Sequence, residues 1–461
     1  MRFTRFTNIS PLDFRYLDAG IRGHLSEEKF IEYKLMFERS LAHALFRRGL
    51  MTEAVYKEIE AACHSVTPDE VYAEEERVGH DIRALVNCIR AKVSDAAKPF
   101  VHLTATSQDI NDSANALRYV LTSVSIFIPE LIELERTLIS SAERTASLAQ
   151  IGRTHGQHAI PTTFGFMIAG YVSRLGECIV RVDACVRELR GKFSGAVGSC
   201  NAAALLMKDP KAMEREILKE YDLEPAEHAT QITPPEPLMR FFHETMLAVG
   251  IMADLADDMR HLARSEIREV REAFGPEQVG SSTMPQKRNP IRFERVKGFW
   301  KQVMIRQNLL LMDQLSEHQR DGTNFVSQRT YPEILAYAIL ATVELKNAMQ
   351  TARVDQAEFA RNLLSGQGSI AAEPLYIILA SLGHPDAHEK VRQLTLRAEA
   401  EKCELYSVIR TDSDIFLYWG RMTDAQRNIV KNPLFYVGVA SSEASAIAKR
   451  WRITMDELDA K

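Results

Sequence analysis

The sequence contains no uninterrupted apolar stretch near the roughly 20 residues that a membrane-spanning helix needs. Its first residues, MRFTRFTNISPLDFRY, lack the apolar segment of a secretory signal peptide. A CxxC pair is also absent, which excludes a zinc ribbon, and the six cysteines are scattered along the chain. These absences predict a cytoplasmic protein with free thiols and no membrane partner.

The sequence also lacks an excess of positive charge. Its 57 Lys and Arg residues are outnumbered by 62 Asp and Glu residues, so the net charge is −5. This balance gives no general attraction to nucleic acid, and we predict no nucleic-acid partner. A local basic pocket for a small anionic ligand remains compatible with this total.

Proline is absent from several long windows of the sequence. The apolar/polar alternation typical of β-strands is almost absent, and the sequence has no Gly-rich phosphate loop and no internal repeat. Within these windows apolar residues recur at steps of three and four, which indicates long helices. From Leu238 the pattern predicts one helix of about 35 residues, about 50 Å long. The other predicted long helices are Glu130–Gln150, Phe164–Arg190, Phe293–Leu315 and Pro332–Leu364. We therefore predict an all-α fold, an elongated bundle that buries its apolar stripe against copies of itself.

Shorter helices and more turn residues flank this bundle and predict three domains. The N-terminal helical domain is residues 1–112, the central bundle is 113–365, and the C-terminal helical domain is 366–461. The sequence Ser365-Gly366-Gln367-Gly368 marks the clearer of the two boundaries.

Four polar clusters interrupt the helical pattern and are the predicted places for chemistry. The longest is the loop 275–294, GPEQVGSSTMPQKRNPIRFE, whose length and cations suit a mobile loop over an acidic ligand. The others are Arg153–His158, Thr104–Asp112 with His102 before it, and His80-Asp81. Helix capping alone is the simpler interpretation of the last two clusters. His155 and His158 lie too close to Pro161 for a helical zinc pair, so we predict no metal site.

The string Gly280-Ser281-Ser282-Thr283-Met284-Pro285-Gln286-Lys287-Arg288-Asn289, with Glu294 five residues later, resembles the signature of the fumarase/aspartase superfamily. Within it, HDIRA, FVHLTATSQDIND, GRTHGQHAIPTTFG and HQRDGTNFVSQR are similar to segments of the adenylosuccinate lyase family. The argininosuccinate lyase family is the nearest alternative, but its SRND motif is missing. The resemblance implies a helical homotetramer whose active sites are each built by three subunits. It also implies release of fumarate from succinylated purine nucleotides, without a cofactor.

The resemblance also implies roles for the catalytic residues. Ser281 is similar to the family's base, and Lys287 to the residue that stabilises the carboxylate intermediate. His155 is similar to the general acid, and Glu294 to the carboxylate that orients it. His80 resembles a second histidine near the leaving group.

Further positions match substrate-binding residues of the family: Arg15, Tyr16, His80, Asp81, His102, Thr106, Ser107, Gln157, Gln231, Ser282, Lys287, Arg288, Asn289, Arg320 and Arg329. Between the last two arginines the family usually has phosphate-binding hydroxyls, whereas this chain has Phe325 and Val326. A shifted register using Thr323 or Ser327 would restore a hydroxyl. The alternatives are a lyase acting on a different succinylated amine and a non-catalytic helical scaffold.

Overall fold

The computed structural model describes residues 12–17, 19–365 and 370–461, and its architecture confirms the predicted all-α class. The helices are α1 Leu12–Arg15, α2 Ala19–Leu25, α3 Glu27–Arg47, α4 Glu53–Ser65, α5 Pro68–Val78, α6 Asp81–Ala91, α7 Ser107–Thr122, α8 Ile128–Arg144, α9 Phe164–Arg187, α10 Asn201–Ala204, α11 Pro210–Lys219, α12 Glu236–Leu262, α13 Ile291–Met312, α14 Tyr331–Thr351, α15 Gln356–Ser365, α16 Ala372–Ser381, α17 Ala387–Glu401, α18 Leu405–Ile409, α19 Ser413–Trp419, α20 Asp424–Lys431 and α21 Ala440–Asp459. Single turns of 3₁₀ helix cover Lys98–Phe100, Ser327–Thr330 and Pro433–Phe435, and a π-helical turn covers Ser123–Phe127.

Short strands accompany the helices: β1 Ala149–Thr154, β2 Gln157–Thr163, β3 Arg190–Gly191, β4 Glu224–Pro225, β5 Val270–Arg271 and β6 Arg353–Val354. They pair only two at a time, β1 with β2 and β5 with β6 antiparallel, and β3 with β4 parallel. No helix in the described ranges combines the length and the hydropathy needed to cross a bilayer. All six cysteines are free, as predicted.

The described residues divide into two units. The first comprises 12–131, 178–250 and 298–342, and its core includes an aromatic cluster in which the Tyr119 and Phe242 ring centroids are 5.2 Å apart. The second comprises 132–177, 251–297 and 343–461. Its separate core in α16–α20 is built on fully buried leucines, Leu375, Leu379 and Leu405 among them. Each such side chain contributes about 1.5–3 kcal/mol by leaving water.

The predicted division at 112/113 and 365/366 stays a prediction. Gly366, Gln367 and Gly368, which mark the second boundary, lie outside the described residues.

All five predicted long helices end earlier than expected. The helix predicted over Glu130–Gln150 ends at Arg144, because Ala149 begins β1 and pairs with Thr163 of β2. The helix predicted at about 35 residues is α12, with 27 residues, because the chain turns after Leu262 and enters β5. The single helix predicted over Pro332–Leu364 is wrong. It is interrupted by β6, which pairs with β5, and Asp355 then starts α15 by accepting a hydrogen bond from the Glu358 N–H.

Local capping explains how the chain leaves α5 and enters α6. Thr67 and Glu70 form a reciprocal capping box at the start of α5, with Pro68 at the first helical position. Gly79 then ends α5 in the left-handed region at φ +68°, where a residue without Cβ avoids strain. His80 follows as the N-cap of α6, so two successive caps determine where this histidine lies.

Candidate active site

A cavity of about 320 Å³ in the first unit brings together several of the predicted substrate-binding residues. Its lining includes His80, Asp81, Ser107, Gln231 and Arg329. These residues come from α6, α7, the loop before α12 and the 3₁₀ turn before α14. Side chains far apart in sequence therefore line one concave polar surface, as expected of a ligand site.

His80 both caps a helix and faces the cavity. Its Nδ1 accepts a hydrogen bond from the Arg83 N–H at 3.3 Å, which confirms the capping interpretation. With Nδ1 accepting, a neutral imidazole carries its proton on Nε2. That Nε2 lies 3.5 Å from the Ser107 hydroxyl, so the proton-bearing edge faces other cavity residues.

Asp81 is held ionised beside the histidine. Its Oδ2 accepts hydrogen bonds from the Lys34 ammonium at 3.3 Å and from the Asn111 amide at 3.2 Å. Partial burial opposes ionisation, but the Lys34 charge and these hydrogen bonds outweigh it, so the pKa of Asp81 is lowered. The carboxylate is therefore an acceptor at neutral pH.

The acidic residues of the TSQDIND segment have structural partners. The Asp109 carboxylate accepts from the Thr106 N–H at 2.8 Å and pairs with the buried Lys192 ammonium. Asp112 accepts from the Thr233 N–H at 2.8 Å. The helix-start interpretation of this segment is thus confirmed, while Ser107 lines the cavity.

Other predicted binding residues of the first unit lie outside the lining of this cavity. The His102 Nδ1 lies 2.6 Å from the buried Glu38 carboxylate. Burial disfavours protonation of His102, but the charge and hydrogen bond of Glu38 outweigh burial, so the pKa of His102 is raised. The Tyr16 ring packs edge to face on Phe299, 5.5 Å between centroids, and Arg15 ends α1. Roles for Arg15, Tyr16, His102, Thr106 and Arg320 stay predictions.

In the second unit, His155 occupies the tip of the β1–β2 hairpin, which the sequence analysis did not predict. Thr154 pairs with Gln157, so His155 and Gly156 form a two-residue turn with φ of +54° and +74°. Two consecutive positive φ angles are typical of a type I′ turn, whose twist matches the flanking strands. A histidine in the left-handed region is strained, and such strain clusters at functional sites.

A buried carboxylate anchors this hairpin. Glu269 is fully buried and accepts two hydrogen bonds from the Arg153 guanidinium, at 2.7 and 3.1 Å. It also accepts from the Gln150 and Asn362 amides, each at 2.9 Å. Every oxygen of the buried carboxylate is satisfied, so the network holds β1 in place beneath the exposed His155.

The signature loop folds back on itself around Ser281. The Ser281 hydroxyl oxygen accepts hydrogen bonds from the Met284 N–H at 3.1 Å and the Thr283 N–H at 3.4 Å. The Asn289 amide donates to the Gly280 carbonyl at 3.0 Å. A Cβ at Gly280 would lie 2.1 Å from the Lys287 carbonyl oxygen, so only glycine allows this closure. The exposed residues of the loop include Ser282, Lys287 and Arg288.

Glu294 lies in the first turn of α13 and is exposed, as are His155 and Gln157. Among the described residues of the chain, no hydrogen bond or ion pair joins Glu294 to His155. The orienting role of Glu294 therefore stays a prediction. Within the same ranges, His, Cys, Asp and Glu side chains nowhere form a group of three that could hold a metal ion.

Comparison with known proteins gives the family. The family described as "Lyase" matches residues 3–305, and "Adenylosuccinate lyase C-terminal" matches residues 316–416. The adenylosuccinate lyase of Pyrococcus abyssi is 33% identical over 89% of this chain and 91% of its own, and that of Pyrococcus horikoshii is 34% identical over 94% and 95%. The chain belongs to the adenylosuccinate lyase family.

Further similarities extend beyond adenylosuccinate lyases. The N-acetyl-S-(2-succino)cysteine lyase of Enterococcus italicus is 27% identical over 94% of both chains. The crystal structure of the 3-carboxy-cis,cis-muconate lactonizing enzyme of Pseudomonas putida superposes with a TM-score of 0.84 at 26% identity, covering 96% of this chain and 99% of that one. The fold of this lyase is thus shared by enzymes with different names.

The departure from the adenylosuccinate lyase pattern lies at the cavity. Phe325 lines it and is 54% exposed, while Val326 is 79% exposed. The two nearby hydroxyls that a shifted register would use both donate to carboxylates, Thr323 to Asp321 at 2.5 Å and Ser327 to Asp313. Neither of them lines the cavity.

Two cations of the cavity, Lys34 on α3 and Arg118 on α7, were missed by the sequence analysis. A signal for the first was present, because Lys34 falls in the apolar stripe of α3 that includes Phe37 and Leu41. A lysine at a stripe position needs a partner or a ligand. Arg118 shows the same signal on α7, where it follows the buried residues Ile110 and Ala114 at helical spacing.

Proposed function

We propose that this member of the adenylosuccinate lyase family cleaves adenylosuccinate to AMP and fumarate. We also propose that it cleaves the succinylated imidazole carboxamide ribotide, SAICAR, to AICAR and fumarate, in purine nucleotide biosynthesis in the cytoplasm. One observation carries the proposal. Within the complete signature loop, two backbone N–H groups donate hydrogen bonds to the Ser281 hydroxyl oxygen.

The reaction is a β-elimination that starts with proton abstraction. The Ser281 oxygen, as alkoxide, takes the proton from the carbon next to a substrate carboxylate and leaves a doubly charged aci-carboxylate. The Thr283 and Met284 N–H groups stabilise the alkoxide by hydrogen bonding, which lowers the cost of forming it. Lys287 and Asn289 stabilise the additional carboxylate charge.

The carbon–nitrogen bond breaks in the second step. The electron pair of the aci-carboxylate forms the double bond of fumarate, and the bonding pair of the C–N bond goes to nitrogen. His155 delivers a proton to that nitrogen, with Glu294 favouring its protonated form. His80, Asp81, Ser107, Gln231 and Arg329 bind the nucleotide end in the cavity.

We propose a homotetramer in which three subunits build each active site. Exposed apolar side chains on the long helices support it, including Phe166 and Val180 on α9, Leu247 on α12 and Ile305 and Met312 on α13. Apolar side chains left open on helices that are otherwise well packed indicate a surface for self-association. Shared sites would also explain why His155 and Glu294 are exposed.

A second candidate is cleavage of another succinylated compound that lacks a phosphate. Phe325 and Val326 favour it, because they offer no hydrogen bond to a phosphate. The similarity to an N-acetyl-S-(2-succino)cysteine lyase also supports this candidate.

The deciding experiment offers the purified protein adenylosuccinate, SAICAR, argininosuccinate and N-acetyl-S-(2-succino)cysteine in parallel, and follows fumarate release. Rapid turnover of the two purine substrates supports the main proposal. Turnover of N-acetyl-S-(2-succino)cysteine alone supports the second candidate, and no turnover by a folded oligomer favours the scaffold alternative.

A further inference from the structure

Two buried cations face one aromatic ring at the base of the cavity. The Lys34 ammonium lies 4.3 Å from the centroid of the Phe30 ring, and the Arg118 guanidinium carbon lies 4.1 Å from it. All three residues line the cavity. The Lys34 side chain is 9% exposed and Arg118 is 2% exposed, so both charges have left bulk water.

These cations have fewer partners than their burial requires. Among the described residues, Lys34 donates to Asp81 alone, and the Nε and Nη1 of Arg118 have no hydrogen-bond partner. Burial and the neighbouring Arg118 lower the pKa of Lys34, although Asp81 and Glu27 oppose this. Two buried like charges near one another are unfavourable, and an anionic ligand would stabilise them further.

The carboxylates nearest to Lys34 also have other hydrogen-bond partners. Asp81 is shared with Asn111, and Glu27 accepts a hydrogen bond from the Tyr72 hydroxyl at 3.1 Å. Glu75 also lines the cavity, but no contact joins it to Lys34 or Arg118 among the described residues. An anion that enters the cavity beside Phe30 would therefore lie near both Lys34 and Arg118.

We propose that Lys34 binds the phosphate of the substrate, with Arg118 supplying positive charge from beneath, in place of the hydroxyls absent at Phe325 and Val326. This inference rests on the proposed function, since it assumes a phosphorylated substrate. Lysine is suited to the contact as a compact charge with three donors, two of which remain after the bond to Asp81. Arg118 is the more buried of the two cations and already donates to the Asn115 side chain at 2.9 Å, so its contribution is mainly to the electrostatic potential.

The test compares AMP and adenosine, which differ only in the phosphate, by calorimetric titration of the full-length protein. We expect the unmodified protein to bind AMP at least about tenfold more tightly than adenosine, as one charge-assisted hydrogen bond allows. Lys34→Gln should remove most of that difference, and the ratio of AMP to adenosine affinity within the variant separates the loss of the phosphate contact from any effect on Asp81. Lys29→Gln is the matched control, because Lys29 is more exposed on the same helix and lies outside the lining.

If circular dichroism shows that Lys34→Gln does not fold, Lys34→Met is used in its place, because methionine preserves most of the length of the side chain. A variant that keeps the full preference for AMP overturns the proposal. If the unmodified protein does not cleave purine substrates, the proposed function fails separately. In that case, the thermal stabilisation of the unmodified protein and of the Lys34 variant by inorganic phosphate is measured. Stabilisation of the unmodified protein alone supports the anion site, whereas stabilisation of both proteins or of neither overturns the proposal.

Discussion

At Ser281, the proposed base, the neighbouring backbone supplies the contacts that an alkoxide would need. A free hydroxyl is a poor base, but here the Thr283 and Met284 N–H groups already contact its oxygen. The contacts need no other side chain, because the turn of the loop makes them.

Replacing Ser281 with Ala should lower turnover of adenylosuccinate by roughly 10³-fold or more, since the base is removed while the fold does not depend on it. Single-turnover fumarate release would measure the effect. Thr283→Ala is the control, because it keeps the backbone donor and should retain most of the activity. Equal rates for Ser281→Ala and the unmodified protein would exclude this base.

Glu135 shows the opposite case, a charged residue type without a compensating contact. It is fully buried on α8, and neither carboxylate oxygen has a hydrogen-bond partner among the described residues. Burial raises its pKa well above the ordinary value, because the charged form would lose its hydration without gaining a partner.

Glu135 should therefore make stability fall as pH rises. Above the ordinary glutamate pKa of about 4.3, the unfolded chain releases this proton while the folded chain keeps it. The free energy of unfolding therefore falls by up to about 1.4 kcal/mol per pH unit, until the pH reaches the pKa of the folded state. Glu135→Gln should remove this dependence, so its Tm relative to that of the parent should increase as pH rises above the ordinary glutamate pKa. Exposed Glu133 of the same helix gives the control Glu133→Gln, and identical pH slopes for Glu135→Gln and the parent would contradict the assignment.

At the scale of elements, the β1–β2 hairpin determines where the candidate acid lies. The buried Glu269 network holds the base of the hairpin, and the two-residue turn presents His155 at its tip. Histidine is an unusual choice for a left-handed turn position, where Asn followed by Gly is preferred.

His155→Asn should accordingly preserve or improve the turn and still lower activity by about 10²–10⁴-fold, the usual contribution of a general acid. The pH dependence of kcat should lose the limb that reports this group. His158→Asn, in β2 of the same hairpin, is the control. A His155→Asn enzyme with the parent rate and pH profile would show that another group donates the proton.

At the scale of the whole molecule, the proposed tetramer would cover the exposed apolar residues of α9, α12 and α13. We expect sedimentation equilibrium to give about four times the 52.1 kDa mass of one chain. Charge substitutions at Ile305 and Met312, both exposed on α13, should dissociate the assembly and abolish turnover together, because shared sites are then incomplete. Lys301→Glu on the same helix is the control, and a fully active species of 52.1 kDa would contradict the shared-site proposal.

The sequence by itself determined the features that depend on neighbouring residues. The helical periodicity, the caps at His80 and Thr106, the signature loop and the family all follow from short segments, because the interactions involved span a few residues. Helix ends were less predictable. The break before Asp355 depends on the pairing of β6 with β5, in which Val354 pairs with Val270 and Arg353 with Arg271, residues far apart in the sequence.

Only the tertiary structure decided which charges meet. Lys34 and Asp81 are 47 residues apart, and Arg153 and Glu269 are 116 apart, so no local pattern relates them. The Phe30 ring with its two cations exists only once α3 packs near α7. Such contacts are set by how helices pack rather than by which residues follow one another, because the energy of a buried charge depends on everything that replaces its water.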